Sequence, residues 1–121
     1  MQNLDQIRAR HVLAFANDPT IKTSGQNGGE VIKKISPVLM NNGLLQALAY
    51  SLDEKQVAWR CVFDAVALHL ASPEIALVPE ESVHDAASLL DYLVGDSTDS
   101  QVLRMVTAET SAWLDFARRL A

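Results

Sequence analysis

Apolar residues in this chain recur at intervals of three and four, and no run alternates apolar with polar for the length of a useful strand. That periodicity leaves an all-α fold, and its segments predict a compact bundle of five to six helices. Asn3 followed by Gln6 three positions later has the pattern of a capping box opening a helix over residues 3–17. Leu4, Ile7, His11, Ala14 and Phe15 form its expected apolar stripe, and Asp18-Pro19 stops it. Residues 20–29 (TIKTSGQNGG) are polar and glycine-rich and read as an exposed, mobile loop.

A second helix is expected over residues 30–41, with Val31, Ile32, Ile35, Leu39 and Met40 apolar; Pro37 should kink it or start a new turn behind Ser36. Asn42-Gly43 is a stop signal, after which residues 44–52 form a short, nearly all-apolar helix. Asp53, with Gln56 three residues on, should start a helix reaching residue 71. It carries two apolar stripes, one of Trp59, Phe63, Val66 and Leu70, the other of Ala58, Cys61, Val62, Ala65 and Leu68. Only a strip with Arg60 and Asp64 is polar, so this helix belongs inside a bundle or at a protein interface. Residues 72–78 are a connector with a short apolar run. Pro79, Glu80 and Glu81 suit the first turn of a helix ending at Gly95. Thr98 and Gln101 resemble another cap, opening a last helix along which Val106, Thr110, Trp113, Ala117 and Leu120 are spaced four, three, four, three.

With 121 residues the chain is long enough for one helical domain, residues 1–121, and short for two. A chain of that length buries about two thirds of its unfolded surface and needs no covalent staple. The single Cys61 makes no intrachain disulfide and no cysteine-based zinc site, and sits mid-helix where a thiol is ordinarily inert. Charged residues interrupt every apolar run in the first twenty positions, and no stretch has the ~18 uncharged apolar residues of a membrane span. The expected setting is therefore cytoplasmic and soluble, without a membrane partner.

Nothing in the sequence assembles into a catalytic constellation. The chain contains no DxD, HExxH or GxSxG, and its glycine-rich stretch lacks the Lys-Ser/Thr that completes a phosphate-binding loop. None of the three histidines, His11, His69 and His84, has a metal partner one helical turn away. His11 lies on an apolar stripe and reads as a hydrogen-bonded core or interface group. His69 stands near a helix C-terminus, where a cation is favoured electrostatically. His84 and Asp85 are adjacent in sequence and diverge on a helix, so they make a poor dyad. The expectation is a non-enzymatic protein with no catalytic residues, no metal, no cofactor and no small-molecule substrate.

The charge distribution says more than the net charge of −5. Residues 61–103 hold eight acids and neither Lys nor Arg, whereas residues 1–60 and 104–121 are each slightly basic. Packing the two ends together would create one basic and one strongly acidic face. Six residues on three helices are candidates for a surface that tracks phosphates: Arg8 and Arg10, Lys33 and Lys34, Arg118 and Arg119. The few aromatic residues fall mostly on core stripes, so contact with an RNA backbone is favoured over stacking on bases.

Three stretches carry a family resemblance. The run Ile35-Ser-Pro-Val-Leu-Met-Asn-Asn-Gly-Leu-Leu-Gln-Ala-Leu-Ala-Tyr resembles a motif of a proline, a short apolar turn, Asn-Gly-Leu and a Gln-Ala-Leu-Ala helix. Residues 107–121 are similar to a closing helix with a Glu, an aromatic-Leu-acid-aromatic run and an Arg-apolar-Ala end. Leu4-Asp-Gln-Ile-Arg-Ala-Arg-His fits an opening helix. The family is the small α-helical subunit of the type III-B CRISPR RNA-targeting effector, the Cmr complex.

That resemblance implies a non-catalytic subunit. Copies would stack head to tail beside the guide-RNA backbone subunits and help hold guide and target RNA for antiviral cleavage by other subunits. Its implied partners are guide RNA, target RNA, and the Cmr backbone and large subunits. Arg8 and Arg119 are the basic positions that best match the family pattern. The net acidity departs from strongly basic relatives and argues against tight RNA binding by the isolated chain. Two alternatives stand beside this reading: the small subunit of the type III-A complex, and a homodimeric helical interaction module without RNA contact. The run through residues 37–52 reads first as core and second as a surface that shapes a neighbour contact. Glu109 reads first as a surface or intrahelical partner of Arg104 or of the neighbourhood of Trp113, and second as a filament contact.

Overall fold

The computed structural model describes residues 3–17 and 28–120, which form six helices with no strand among them. These are α1 (Leu4–Ala16), α2 (Gly28–Asn42), α3 (Leu44–Ser51), α4 (Val57–Ala71), α5 (Ala86–Val94) and α6 (Ser100–Leu120). The loop expected over residues 20–29 lies outside the described residues, apart from Gly28 and Gly29, which open α2.

α4 is the axle of the bundle, packing against all five other helices. Its first expected stripe is buried as a whole, and Val62, Ala67 and His69 are buried with it. The second stripe is only partly covered: Ala58, Cys61 and Ala65 are half-buried and Leu68 is exposed. The narrow polar strip ties neighbouring helix ends to the axle. Arg60 donates to the carbonyls of Ser51, Leu52 and Asp53 at the C-terminal end of α3, the closest at 3.1 Å. Asp64 accepts from the Ala86 amide at the N-terminus of α5, at 2.8 Å. Each charge thus meets the helix end whose dipole it complements. Burial pushes the Asp64 carboxyl above its ordinary value, partly offset by that amide.

α1 opens as expected, with reciprocal bonds between Asn3 and Gln6. Its inward face, however, is Ile7, Val12 and Phe15, with Arg8 and His11 turned the same way; Leu4 and Ala14 are exposed. On α2, Val31, Ile32, Ile35 and Leu39 are buried, Met40 is 84% exposed, and Lys33 and Lys34 face outward. Pro37 neither ends nor restarts this helix, and Ser36 bonds back to the Ile32 carbonyl instead of capping a new turn. On α6 the expected spacing is buried from Val106 to Ala117, while Leu120 is exposed.

Three helix starts differ from expectation, each because a local side chain takes another partner. Asp53 accepts from the Lys55 amide in a turn, so α4 begins at Val57. Residues 79–85 form turns around the buried Val83, and α5 begins only at Ala86. Asp85 and Ser88 form a capping box there, which leaves Glu80 and Glu81 exposed off the helix. The Thr98 hydroxyl donates to the Tyr92 carbonyl, so Asp99 serves the N-terminus of α6 by accepting from the Val102 amide.

The sharp junction between α2 and α3 depends on Gly43, whose φ of 86° and ψ of 168° fall in a region essentially restricted to glycine. A Cβ at this position would meet nothing within 4 Å, so the constraint is purely one of backbone conformation. Gly43→Ala should lower the unfolding free energy by about 1–3 kcal/mol. Urea denaturation followed by circular dichroism checks this, with an unchanged midpoint counting against a strained junction.

Candidate functional site

The most structured polar constellation joins α1, α4, α6 and the turn after α4. Glu109, buried on α6, receives a two-pronged bond from Arg8 on α1. Nε donates to Oε2 and a terminal nitrogen to Oε1, both at 2.7 Å. Arg8 also meets Asp5 at 2.9 Å. The same Oε2 accepts from Nε2 of the buried His69 at 2.9 Å. Nδ1 of His69 then faces Nδ1 of His11 at 2.7 Å, and Nε2 of His11 faces Oε1 of Glu74 at 3.3 Å. Arg10 closes the far end by pairing with Glu74.

Electrostatics fit this geometry. Burial alone would raise the Glu109 carboxyl, but the hydrogen bonds and charges of Arg8 and His69 together hold it below the ordinary carboxylate range. Its bond to that carboxylate in turn raises Arg8 above the ordinary guanidinium value, despite partial burial. Burial lowers His69 below the ordinary histidine range, more than the neighbouring carboxylate raises it. Arg10's hydrogen bond lowers Glu74.

Sequence reasoning separated these residues. Glu109 was expected as a surface or intrahelical partner of Arg104 or of the neighbourhood of Trp113, and is instead the buried hub of the constellation. His69 was expected to complement a helix end, whereas its ring turns inward to Glu109. The signal available was the 4-3-4-3 stripe itself: Glu109 immediately precedes its member Thr110 and shares the buried face. His11 does sit half-buried and bonded, as its stripe position suggested. His84 is exposed and Asp85 half-buried, 3.7 Å apart, and the Asp85 carboxylate is engaged by Ser88 at the start of α5. Among the described residues, no group of three or more His, Cys, Asp or Glu could hold a metal ion.

The six basic candidates divide into two classes. Arg8 and Arg10 are tied into the constellation. Lys33 and Lys34 on α2, and Arg118 and Arg119 at the end of α6, are exposed on two helices that pack together. Arg118 has a 4.0 Å contact with Asp115. A groove of about 560 Å³ runs between the α2–α3 junction and α6, lined by Leu39, Met40, Leu44, Leu103, Arg104 and Thr107 among others. The Asn42-Gly43-Leu44 turn borders it, so the stretch that carries the family resemblance builds both core and groove wall.

The family model for CRISPR-associated protein (Cas_Cmr5) matches residues 4–121. The chain belongs to the Cas_Cmr5 family. The match extends the resemblance seen at both ends and at residues 35–50 through the central helices. It makes the chain a CRISPR-associated Cmr subunit. No curated protein and no solved structure matches it.

If the Arg8–Glu109 pair is a buried tie, removing one partner should cost far more than removing both. Glu109→Leu is expected to destabilise by about 3–5 kcal/mol, and combining it with Arg8→Met should restore much of that loss. Urea unfolding of the two single variants and the double variant measures the coupling. Strict additivity would show that the two groups act independently.

Proposed function

We propose that this Cas_Cmr5-family chain is a non-catalytic structural subunit of a type III-B CRISPR ribonucleoprotein, working in the cytoplasm in antiviral defence. It stacks beside the subunits that carry guide RNA and helps hold guide and target RNA while other subunits cut. The family match across residues 4–121 carries this reading. Among the described residues no helix is long and apolar enough to cross a membrane, which agrees with assembly on a ribonucleoprotein.

The exposed Lys33, Lys34, Arg118 and Arg119 are the residues assigned to phosphates. Arg8 and Arg10 have a lesser part, because each would have to leave a carboxylate partner before meeting an RNA. The acidic stretch 61–103 keeps the opposite side free of RNA and gives a neighbouring copy or subunit a charged surface to meet. Head-to-tail contact of unlike surfaces propagates as a filament instead of closing into a dimer.

Two experiments test this. Affinity purification of the chain from its native cell should recover several large protein partners together with short guide RNAs sharing a 5′ tag. Recovery of the chain alone, or with one protein and no RNA, would leave a helical interaction module. In the reconstituted complex, the combined Lys33→Glu, Lys34→Glu, Arg118→Glu and Arg119→Glu variant should fold normally and release target RNA at lower salt. Each lost phosphate contact should reduce the log–log salt slope by about 0.7–0.9. An unchanged slope would reject these four residues as RNA contacts.

A further inference from the structure

Helix α1 is held to the bundle through a histidine–histidine contact whose chemistry admits only certain protonation states. His69 donates from Nε2 to the ionised Glu109, so its neutral ring presents a bare Nδ1. The 2.7 Å separation from Nδ1 of His11 is a hydrogen bond only if one proton lies between them, here supplied by His11. A proton on His11 Nε2 is compatible with this arrangement, since that nitrogen faces the Glu74 carboxylate. A proton on His69 alone is accommodated too, since a neutral His11 with its proton on Nε2 accepts at Nδ1; with both rings cationic, two N–H donors confront each other at that distance.

We propose that the His11–His69 contact is a one-proton latch that seats α1 on the bundle and releases it when both rings are cationic. The charged groups facing the pair are Arg8 and Arg10 from α1, Glu74 from the turn after α4, and Glu109 from α6. Glu109 tolerates a cationic His69. It stands on the opposite nitrogen, however, and does nothing to relieve the clash at Nδ1. Release would uncover the inward Ile7, Val12 and Phe15 of α1, which are all its fully buried apolar anchorage.

The sign follows from burial. A histidine that is harder to protonate folded than unfolded stabilises the fold fully above its unfolded value near 6.5. That stability is lost as pH falls through the lower folded value. The two carboxylates that face the pair, Glu74 and Glu109, are both held below their ordinary value.

Amide hydrogen exchange of the full chain, corrected for intrinsic rates, tests the latch between about pH 7.5 and about pH 5, a range that spans ordinary histidine titration. Protection of α1 should fall about tenfold or more relative to α4, the scale of one buried hydrogen bond left unmade. In His11→Gln the amide can turn to donate or to accept, so the relative protection should stay level across the same range. Nitrogen-15 spectroscopy of the wild-type imidazoles at the higher pH should show His69 neutral with its proton on Nε2, a result that does not depend on any variant folding. Level wild-type protection, a loss retained in His11→Gln, or a neutral His69 protonated on Nδ1 would each overturn the proposal.

Discussion

A buried carboxylate has to be met by donors, and Glu109 draws them from two other helices. Its two oxygens collect bonds from Arg8 on α1 and from His69 on α4, so one side chain on α6 sets where three helices meet. This matters most for α1, whose apolar anchorage is only Ile7, Val12 and Phe15. A helix so lightly anchored has several ways to lie on a bundle. A two-pronged guanidinium–carboxylate pair accepts few of them, because both the direction and the plane of the contact are prescribed. The T-shaped contact between Phe15 and Trp113, with ring centres 5.5 Å apart, then fills the space beyond the pair. The pair contributes orientation more than net stability, since desolvating two charges offsets much of their attraction.

The same economy appears along α4. An all-apolar axle would bury more surface but would leave the ends of its neighbours uncapped. Arg60 and Asp64 lie four residues apart and therefore on one side of the helix. One reaches the carbonyl end of α3 and the other the amide end of α5. The strip that looks in sequence like a solvated face is thus a pair of helix-end contacts.

For function, the consequence is a division among like charges. Arg8 and Arg119 are equally well matched to the family pattern, yet one is turned into the bundle against Glu109 and the other stands exposed at the end of α6. Lys33, Lys34, Arg118 and Arg119 stand exposed on α2 and α6, which are neighbours, while acids dominate residues 61–103. The proposed RNA contacts and protein contacts therefore draw on different parts of the chain, although its net charge is negative.

The six helices, their order and most of the core follow from periodicity, because burial of an apolar stripe is decided by spacing within one helix. Phe63, Val66, Trp113 and Ala117 could be placed in this way. So could the helix break at Gly43, since few other residues accept its conformation. The starts of α4, α5 and α6 could not be placed as well, because Asp53, Asp85 and Asp99 compete with nearby residues for the same amides. The partners of polar residues were beyond reach for a different reason. Arg8 and Glu109 are 101 positions apart, and His11 and His69 are 58 apart. A charge shows no periodicity that names its mate. Sequence alone determined that α1 would carry His11 on its apolar stripe and Arg8 off it; the packing of α1 against α4 and α6 decided that both turn inward, because there Glu109 and His69 offer them partners.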